Sequence, residues 1–211
     1  MAIPSTIVGD GVPVRVPSRP AWRAALPILE TRTAVLREVV LADAAPLATA
    51  LGGPEVLQYL PVGPTSAEQF ARFIRWVRRE RRAGRYLCFG VAPHGQTAAA
   101  GVFQLWPIEP GFGTAEMGFA LDPALWGTGT FLDGAIAIVD FAFTTLGVRR
   151  LECRSAVSNT RGCAALRKLG AVPEGTLRNC FPCPAGLLDH TMWSILAEEW
   201  HGGPARRPRY S

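Results

Sequence analysis

Residues Asp122–Ile136 read DPALWGTGTFLDGAI. They follow Gly113–Leu121, whose apolar residues alternate as in a strand, and lead into Gly127–Leu146, an apolar run at helical spacing. The stretch is therefore a strand-to-helix turn. The first N–H groups of a helix lack intrahelical partners, and the peptide dipoles place partial positive charge there. Gly127 and Gly129 let backbone approach a ligand closely, and Thr128 and Thr130 carry hydroxyls, so the turn is suited to an anion such as phosphate. Two better-known phosphate motifs are excluded. No Gly-Lys-Ser/Thr follows, and Gly127, Gly129 and Gly134 do not fit G-x-G-x-x-G. An ordinary glycine turn and an anion cradle both remain open on these residues alone.

Upstream, Tyr86–Val91, Thr97–Trp106 and Gly113–Leu121 read as consecutive strands of an antiparallel meander, separated by turn-like Pro93-His94-Gly95 and Pro107–Gly111. Before them, a strand is predicted near Thr31–Val39 and a helix at Ala42–Leu51, ended by Gly52-Gly53-Pro54. A longer helix is predicted at Thr65–Ala83, where Ser66 and Gln69 have capping-box spacing. Phe70, Phe73, Ile74 and Val77 share one face of it, and Arg72, Arg75, Arg79 and Arg82 the other. A solvated surface is the simplest reading of the arginine stripe. Aromatics do not interleave with it, which argues against a nucleic-acid groove. Downstream, Arg149–Ser155 reads as a strand, Asn159–Leu169 as a helix closed by Gly170, and Leu187–Leu196 as a final strand. The order of elements gives a mixed α/β sheet, antiparallel first and βαβ later.

Length and composition bound the rest. A chain of 211 residues supports one sizeable core. We expect a domain over 29–200, a proline-rich arm at 1–28 with an edge strand at Val12, Val14 and Val16, and a short tail at 201–211. The hydrophobic fraction of 48% against 18% charged excludes a disordered chain. No run is long and apolar enough for a bilayer span, and no secretory signal is visible, so a cytoplasmic location is expected. Five cysteines without a signal argue for reduced thiols. Cys180-Phe181-Pro182-Cys183 has metal or redox spacing but lacks a second pair, so it is read as loop thiols with no metal. The net charge of +5 permits an anionic ligand without requiring one.

Several blocks now align in one order: Leu29-Glu30-Thr31-Arg32, Glu116-Met117-Gly118-Phe119, Trp126-Gly127-Thr128-Gly129, Asn159-Thr160-Arg161, Arg167-Lys168-Leu169-Gly170, Glu174–Arg178 and Ser194-Ile195-Leu196 with Glu199-Trp200. In this the chain resembles the GNAT acyltransferases, and within them the RimJ/RimL-like protein N-terminal acetyltransferases. The resemblance implies the GNAT fold, a mostly antiparallel mixed sheet whose two central strands splay apart, flanked by helices. It implies acetyl-CoA as co-substrate, held by the backbone of Phe119, Ala120 and Leu121, with the pyrophosphate on Trp126, Gly127, Thr128, Gly129 and Thr130. Asn159 would steady the pantetheine arm, beside Arg161. The sequence departs from the family at Phe131, Gly162, Ala171 and Trp193. In the family a serine proposed to protonate the leaving thiolate commonly stands where this chain has Gly162.

Direct attack of an amine on the thioester needs no enzyme nucleophile. An α-amine with a pKa near 8 is about one-tenth neutral at pH 7, against about 0.04% for a lysine amine, so a weak base suffices for an N-terminus. Glu116 is the candidate base, since Glu116, Gly118 and Ala120 alternate away from Ala115, Met117, Phe119 and Leu121, leaving room beside the carboxylate. His190 and Trp193 are placed on the acceptor side. The expected acceptor is a protein N-terminal amine. The alternatives are a small amine (an antibiotic or polyamine), a non-catalytic acyl-CoA-binding module and, more distantly, an RNA-binding protein. Oligomeric state is left open, a homodimer included.

Overall fold

The computed structural model describes residues 21–60, 63–183 and 186–202. A single sheet runs through them with strands β1 (Leu29–Glu30), β2 (Ala34–Glu38), β3 (Leu87–Pro93), β4 (Gly101–Pro107), β5 (Thr114–Leu121), β6 (Arg150–Ala156), β7 (Val172–Cys183) and β8 (Gly186–Leu196). Their spatial order is β1-β2-β3-β4-β5-β6-β8-β7. All neighbours pair antiparallel except β5 and β6, which are parallel and joined by a helical crossover. The predicted meander and βαβ unit are both present.

Helices cover the two faces unequally. On one, α1 (Ala44–Leu51), α2 (Pro54–Leu57) and α3 (Ala67–Ala83) enclose a core of Leu47, Phe70, Ile74, Val77, Cys88 and Val102. On the other, α4 (Thr130–Thr144) and α5 (Thr160–Leu169) enclose Phe89, Phe103, Met117, Ile138, Leu166 and Trp193. The first face is helix-covered over its β3–β5 half, where α1 and α3 make their contacts with the sheet.

Helix α3 forms as its sequence dictates. Ser66 Oγ accepts from Gln69 N–H while Gln69 reaches back to the Ser66 amide, and Gly84 closes the helix in a left-handed conformation. The burial of Arg81 was not legible from the helical period. Its guanidinium is 2.7 Å from Glu38 and donates to the carbonyls of Trp22 and Arg23, so an ion pair anchors α3 to the strand beneath.

Three expectations change. The helix predicted from Gly127 starts at Thr130, because Gly127 and Gly129 hold φ of +77° and +92°, outside the helical region. Residues 172–183, read in part as a loop with two thiols, are strand β7. Pro173, Gly175 and Pro182 mask its pattern, and an edge strand tolerates them. The core also begins before residue 29, since Trp22 and Leu26 are buried in it and Trp22 meets Phe112 edge-on at 5.7 Å. The strand expected at Val12–Val16 and the tail from 203 lie outside the described residues.

Candidate active site

Parallel strands β5 and β6 pair only from Thr114↔Arg150 to Met117↔Cys153. Beyond that step they part, while β5 stays paired with β4 up to Leu121 and β6 with β8 up to Ala156. The result is a gap in the middle of the sheet. Bonds beyond the ends of β4 and β5, Asp122 N–H to the Ala100 carbonyl and Ile108 N–H to the Thr114 carbonyl, fix which backbone groups face it. Because groups alternate sides along a strand, Ala120 turns its amide and carbonyl to β4, whereas Phe119 and Leu121 turn theirs into the gap. Of the three strand residues expected to offer backbone to a ligand, Ala120 is therefore already engaged. The Leu121 carbonyl is also taken, by the Trp126 indole N–H at 3.1 Å. The Phe119 amide and carbonyl and the Leu121 amide remain directed at the opening.

The glycine turn lies at the mouth of this gap, between β5 and α4. The N-cap of α4 is Gly129, which has no side chain to offer, and among the described residues the amides of Gly127, Gly129, Phe131 and Leu132 have no hydrogen-bond partner. Those of Trp126, Thr128 and Thr130, also expected at the pyrophosphate, already donate to the Pro123 carbonyl, the Leu125 carbonyl and the Thr128 hydroxyl. Several unpaired donors at one helix start form an anion site. The threonine hydroxyls, by contrast, are already engaged within the turn. Thr128 Oγ1 donates to the Leu125 carbonyl at 2.7 Å and lies 2.9 Å from Thr130 Oγ1, and Thr130 is buried. They stiffen the turn rather than project from it. A Cβ at Gly127 would meet nothing within 4 Å, so the concave side of the turn is open.

A cation at this rim was not assigned from the sequence. Arg32 is 78% exposed and lies 3.3 Å from Asp133 in the first turn of α4, with its Nη2 3.5 Å from the Cβ position of Gly129. It offsets the Asp133 carboxylate. Its signal was Thr31-Arg32 at the start of the domain. Phe131 packs inward, its ring 4.6 Å from Phe119 and 5.9 Å from Phe103, and so does not crowd the turn.

Across the gap, Asn159 caps α5 by accepting from Gly162 N–H at 2.9 Å, leaving its amide nitrogen as the unused half of the side chain. Arg161 projects back over the mouth, 4.1 Å from the Trp126 ring. Turn and helix thus meet above the opening.

Glu116 stands at the closed end, on the face opposite α4 and α5. Its side chain is 14% exposed and 3.3 Å from Arg154. Burial raises its pKa, Arg154 opposes that and the nearby Glu152 reinforces it, with the net direction upward. Such a carboxylate is a stronger base than an exposed one. The register carries Glu152, Arg154 and Ala156 of β6 and Ser194, Met192 and His190 of β8 onto the same face. His190 is buried and stacked on Phe181 at 4.2 Å, and neither ring nitrogen has a partner. Burial, then Arg154, lowers its pKa, keeping it neutral near pH 7. Trp193 differs by odd parity: it points to the other face and is buried against α5, with Arg167 5.5 Å from its ring. The structure therefore separates the two residues assigned to the acceptor side.

Cys88 and Cys153 are buried, which pushes both thiols up and disfavours thiolate. Cys180 and Cys183, three apart on β7, are free thiols. Among the described residues no group of three or more His, Cys, Asp or Glu is placed to hold a metal ion, and no helix is long and apolar enough to cross a membrane.

Comparison with known proteins agrees with this geometry. Residues 34–172 match the acetyltransferase (GNAT) domain family. N-acetyltransferase p20 of Bacillus licheniformis, itself uncharacterized, is 28% identical over 175 residues, covering 82% of this chain and 98% of that one. The similarly uncharacterized N-acetyltransferase YoaA of Bacillus subtilis is 25% identical, covering 81% and 97%. Among solved structures, Mycobacterium smegmatis RimJ in complex with CoA-disulfide superposes with a TM-score of 0.75 at 22% identity, over 82% of this chain and 88% of that one. The ribosomal-protein-S5-alanine acetyltransferase of Vibrio fischeri superposes at 0.74 with 16% identity, over 83% and 99%.

Proposed function

The chain belongs to the GNAT acetyltransferase family and takes acetyl-CoA as its co-substrate; from that premise we propose that its acceptor is the α-amine of a protein or peptide N-terminus. The pyrophosphate lies on the free amides of Gly127, Gly129, Phe131 and Leu132 with Arg32 at the rim, and the pantetheine arm runs into the β5–β6 gap against the backbone of Phe119. Arg161 and Trp126 close over it, and Asn159 offers its amide nitrogen to the arm. The thioester then reaches the closed end of the gap, beside Glu116.

The observation that carries the acceptor reading is the open floor next to Glu116. Helices α1–α3 stop over β5, while beyond it the same face carries Arg150, Glu152 and Arg154 on β6 and Glu174 on β7 in paired, partly exposed positions. A floor of paired charges along β6, joined by Arg150 to Glu174 of β7, suits a polar chain segment entering with its amine first. The likeness to RimJ and to an S5-alanine acetyltransferase supports the same choice.

Chemically, the amine nitrogen attacks the thioester carbonyl in a ternary complex. Glu116, or a water held by it, takes the proton. An α-amine needs little help to be neutral at pH 7, so a carboxylate of modestly raised pKa is an adequate base. Direct attack needs no enzyme nucleophile, so no acyl-enzyme step is invoked. A thiol-release assay over N-terminal peptides, aminoglycosides and polyamines tests the acceptor. Turnover on peptides above that on small amines supports the reading; turnover confined to small amines overturns it.

A further inference from the structure

The corner between β6 and α5 holds a hydroxyl that the fold leaves alone. Ser155 is 5% exposed, and its Oγ has no hydrogen-bond partner among the described residues. A buried hydroxyl without a partner is destabilising, and such groups are few in folded proteins. The local cause of the space around it is Gly162, in the first turn of α5. A Cβ built there would lie 2.7 Å from Ser155 Oγ and 2.8 Å from Asn159 Nδ2. Glycine at that position admits the serine hydroxyl.

The position of Ser155 along the strand matters more than its burial. Cys153 is the last β6 residue paired with β5, so Ser155 lies two residues beyond, where the gap has just opened. Its backbone is bonded toward β8 and its side chain rises on the α5 face, beside the amide of Asn159. Among the described residues it is the one buried side-chain polar group of β6 without a hydrogen-bond partner, and so the donor that strand has to spare for a thioester in the gap.

We propose that Ser155 Oγ–H donates a hydrogen bond to the sulfur of acetyl-CoA as the acyl–sulfur bond breaks. This rests on the reading that the pantetheine arm lies in the β5–β6 gap. As the amine nitrogen bonds to the carbonyl carbon, its proton passes to Glu116 or the water it holds. The tetrahedral intermediate collapses, and the C–S electron pair goes to sulfur. Ser155 keeps its proton and stabilises the thiolate by the hydrogen bond alone, so no serine alkoxide forms and no second base is required. A thiolate with a pKa near 8.5 leaves in this form and is protonated from solvent afterwards.

The test is a set of three variants of the full chain: Ser155→Ala, Gly162→Ser, and both together. For Ser155→Ala, kcat is expected to fall about tenfold, the scale of one hydrogen bond to a charged group. Its acetyl-CoA affinity by calorimetry should stay within about twofold, and its melting temperature should hold or rise, because the lost group had no partner. Gly162→Ser alone crowds Ser155, whereas in the Ser155→Ala background it returns a hydroxyl to the vacated space and restores kcat. A purely structural serine would leave kcat unchanged. An unchanged kcat in Ser155→Ala, or an equal loss in acetyl-CoA affinity, overturns the proposal, as does a double variant that folds and binds acetyl-CoA but recovers no rate. The coenzyme's placement is tested separately: acetyl-CoA affinity untouched by Gly129→Val would overturn that placement whatever Ser155 does.

Discussion

The Arg161 guanidinium lies 4.1 Å from the Trp126 ring, joining the turn after β5 to the helix after β6 across the mouth of the gap. The two residues are 35 apart in sequence and have no local reason to meet. Arg161→Ala removes this cation–π contact, worth about 0.5–2 kcal/mol. The KM for acetyl-CoA is expected to rise about threefold to tenfold with kcat little changed, as steady-state kinetics at saturating acceptor would show.

The turn itself is sensitive to side chains. Gly129 has φ of +92° and Gly127 +77°, a region that costs an L-residue roughly 1–2 kcal/mol. Gly129→Val should lower the melting temperature and, by moving the amides of the turn, abolish measurable acetyl-CoA binding in calorimetry. At Gly127 the same backbone cost applies, but a Cβ there meets no atom within 4 Å. Gly127→Val should therefore cost stability through the backbone alone, without a clash, and weaken acetyl-CoA binding in calorimetry by placing a side chain on the open side of the turn.

Glu116→Gln keeps the shape of the site and removes the proposed base. We expect kcat to drop about 100-fold or more, the usual weight of a positioned general base, with acetyl-CoA affinity unchanged. An unchanged kcat would remove Glu116 from the mechanism.

The pH profile follows from the same group. Burial holds the Glu116 carboxyl above the usual carboxylate range, against the pull of Arg154. The basic form is lost as pH falls through that raised value, so the acid limb of kcat should lie at higher pH than for an ordinary glutamate. Arg154→Ala removes the opposing positive charge, and the limb should move further up in pH. A limb that moves down would contradict the assignment.

Asp43 is a structural counterpart. It is 1% exposed, pairs with Arg37 at 2.8 Å and accepts from the amides of Val40 and Ala99. Burial pushes its pKa up, but these bonds outweigh it and the net direction is down. A depressed folded pKa gives stability that is present above the unfolded value near 3.9 and lost as pH falls through the folded one. Asp43→Ala leaves Arg37 without its counter-charge, though still bonded to the carbonyls of Glu38 and Thr97, and leaves the two amides unpartnered. It should cost about 3 kcal/mol in urea unfolding at pH 7. The difference from wild type should shrink toward acid pH.

How far the sequence reached can be judged element by element. Helix α3 was legible because its cap, its period and its closing glycine are all local, and Ser66, Gln69 and Gly84 do what their side chains or backbones permit wherever they stand. Strand β7 was missed because Pro173, Gly175 and Pro182 are loop signals locally, and only the edge position excuses them. Arg81 sat on a face rich in arginines, and nothing in the period distinguished the one that pairs with Glu38. Arg32 was quoted only as part of an opening motif; its meeting with Asp133, far along the chain, is what sets it beside the glycine turn.

The order of strands and helices, the glycine turn after a strand, the family and the candidate base Glu116 followed from the sequence by itself, since periodicity, caps and the order of blocks are written along the chain. Where the pairing of β5 and β6 stops, that Ala120 faces away from the gap, that Trp193 and His190 occupy opposite faces, and that Ser155 fills the space left by Gly162 belong to the tertiary structure alone. Each depends on register and on which backbone groups are already bonded, and those are settled between strands distant in sequence, where a shift of one residue reverses every side chain.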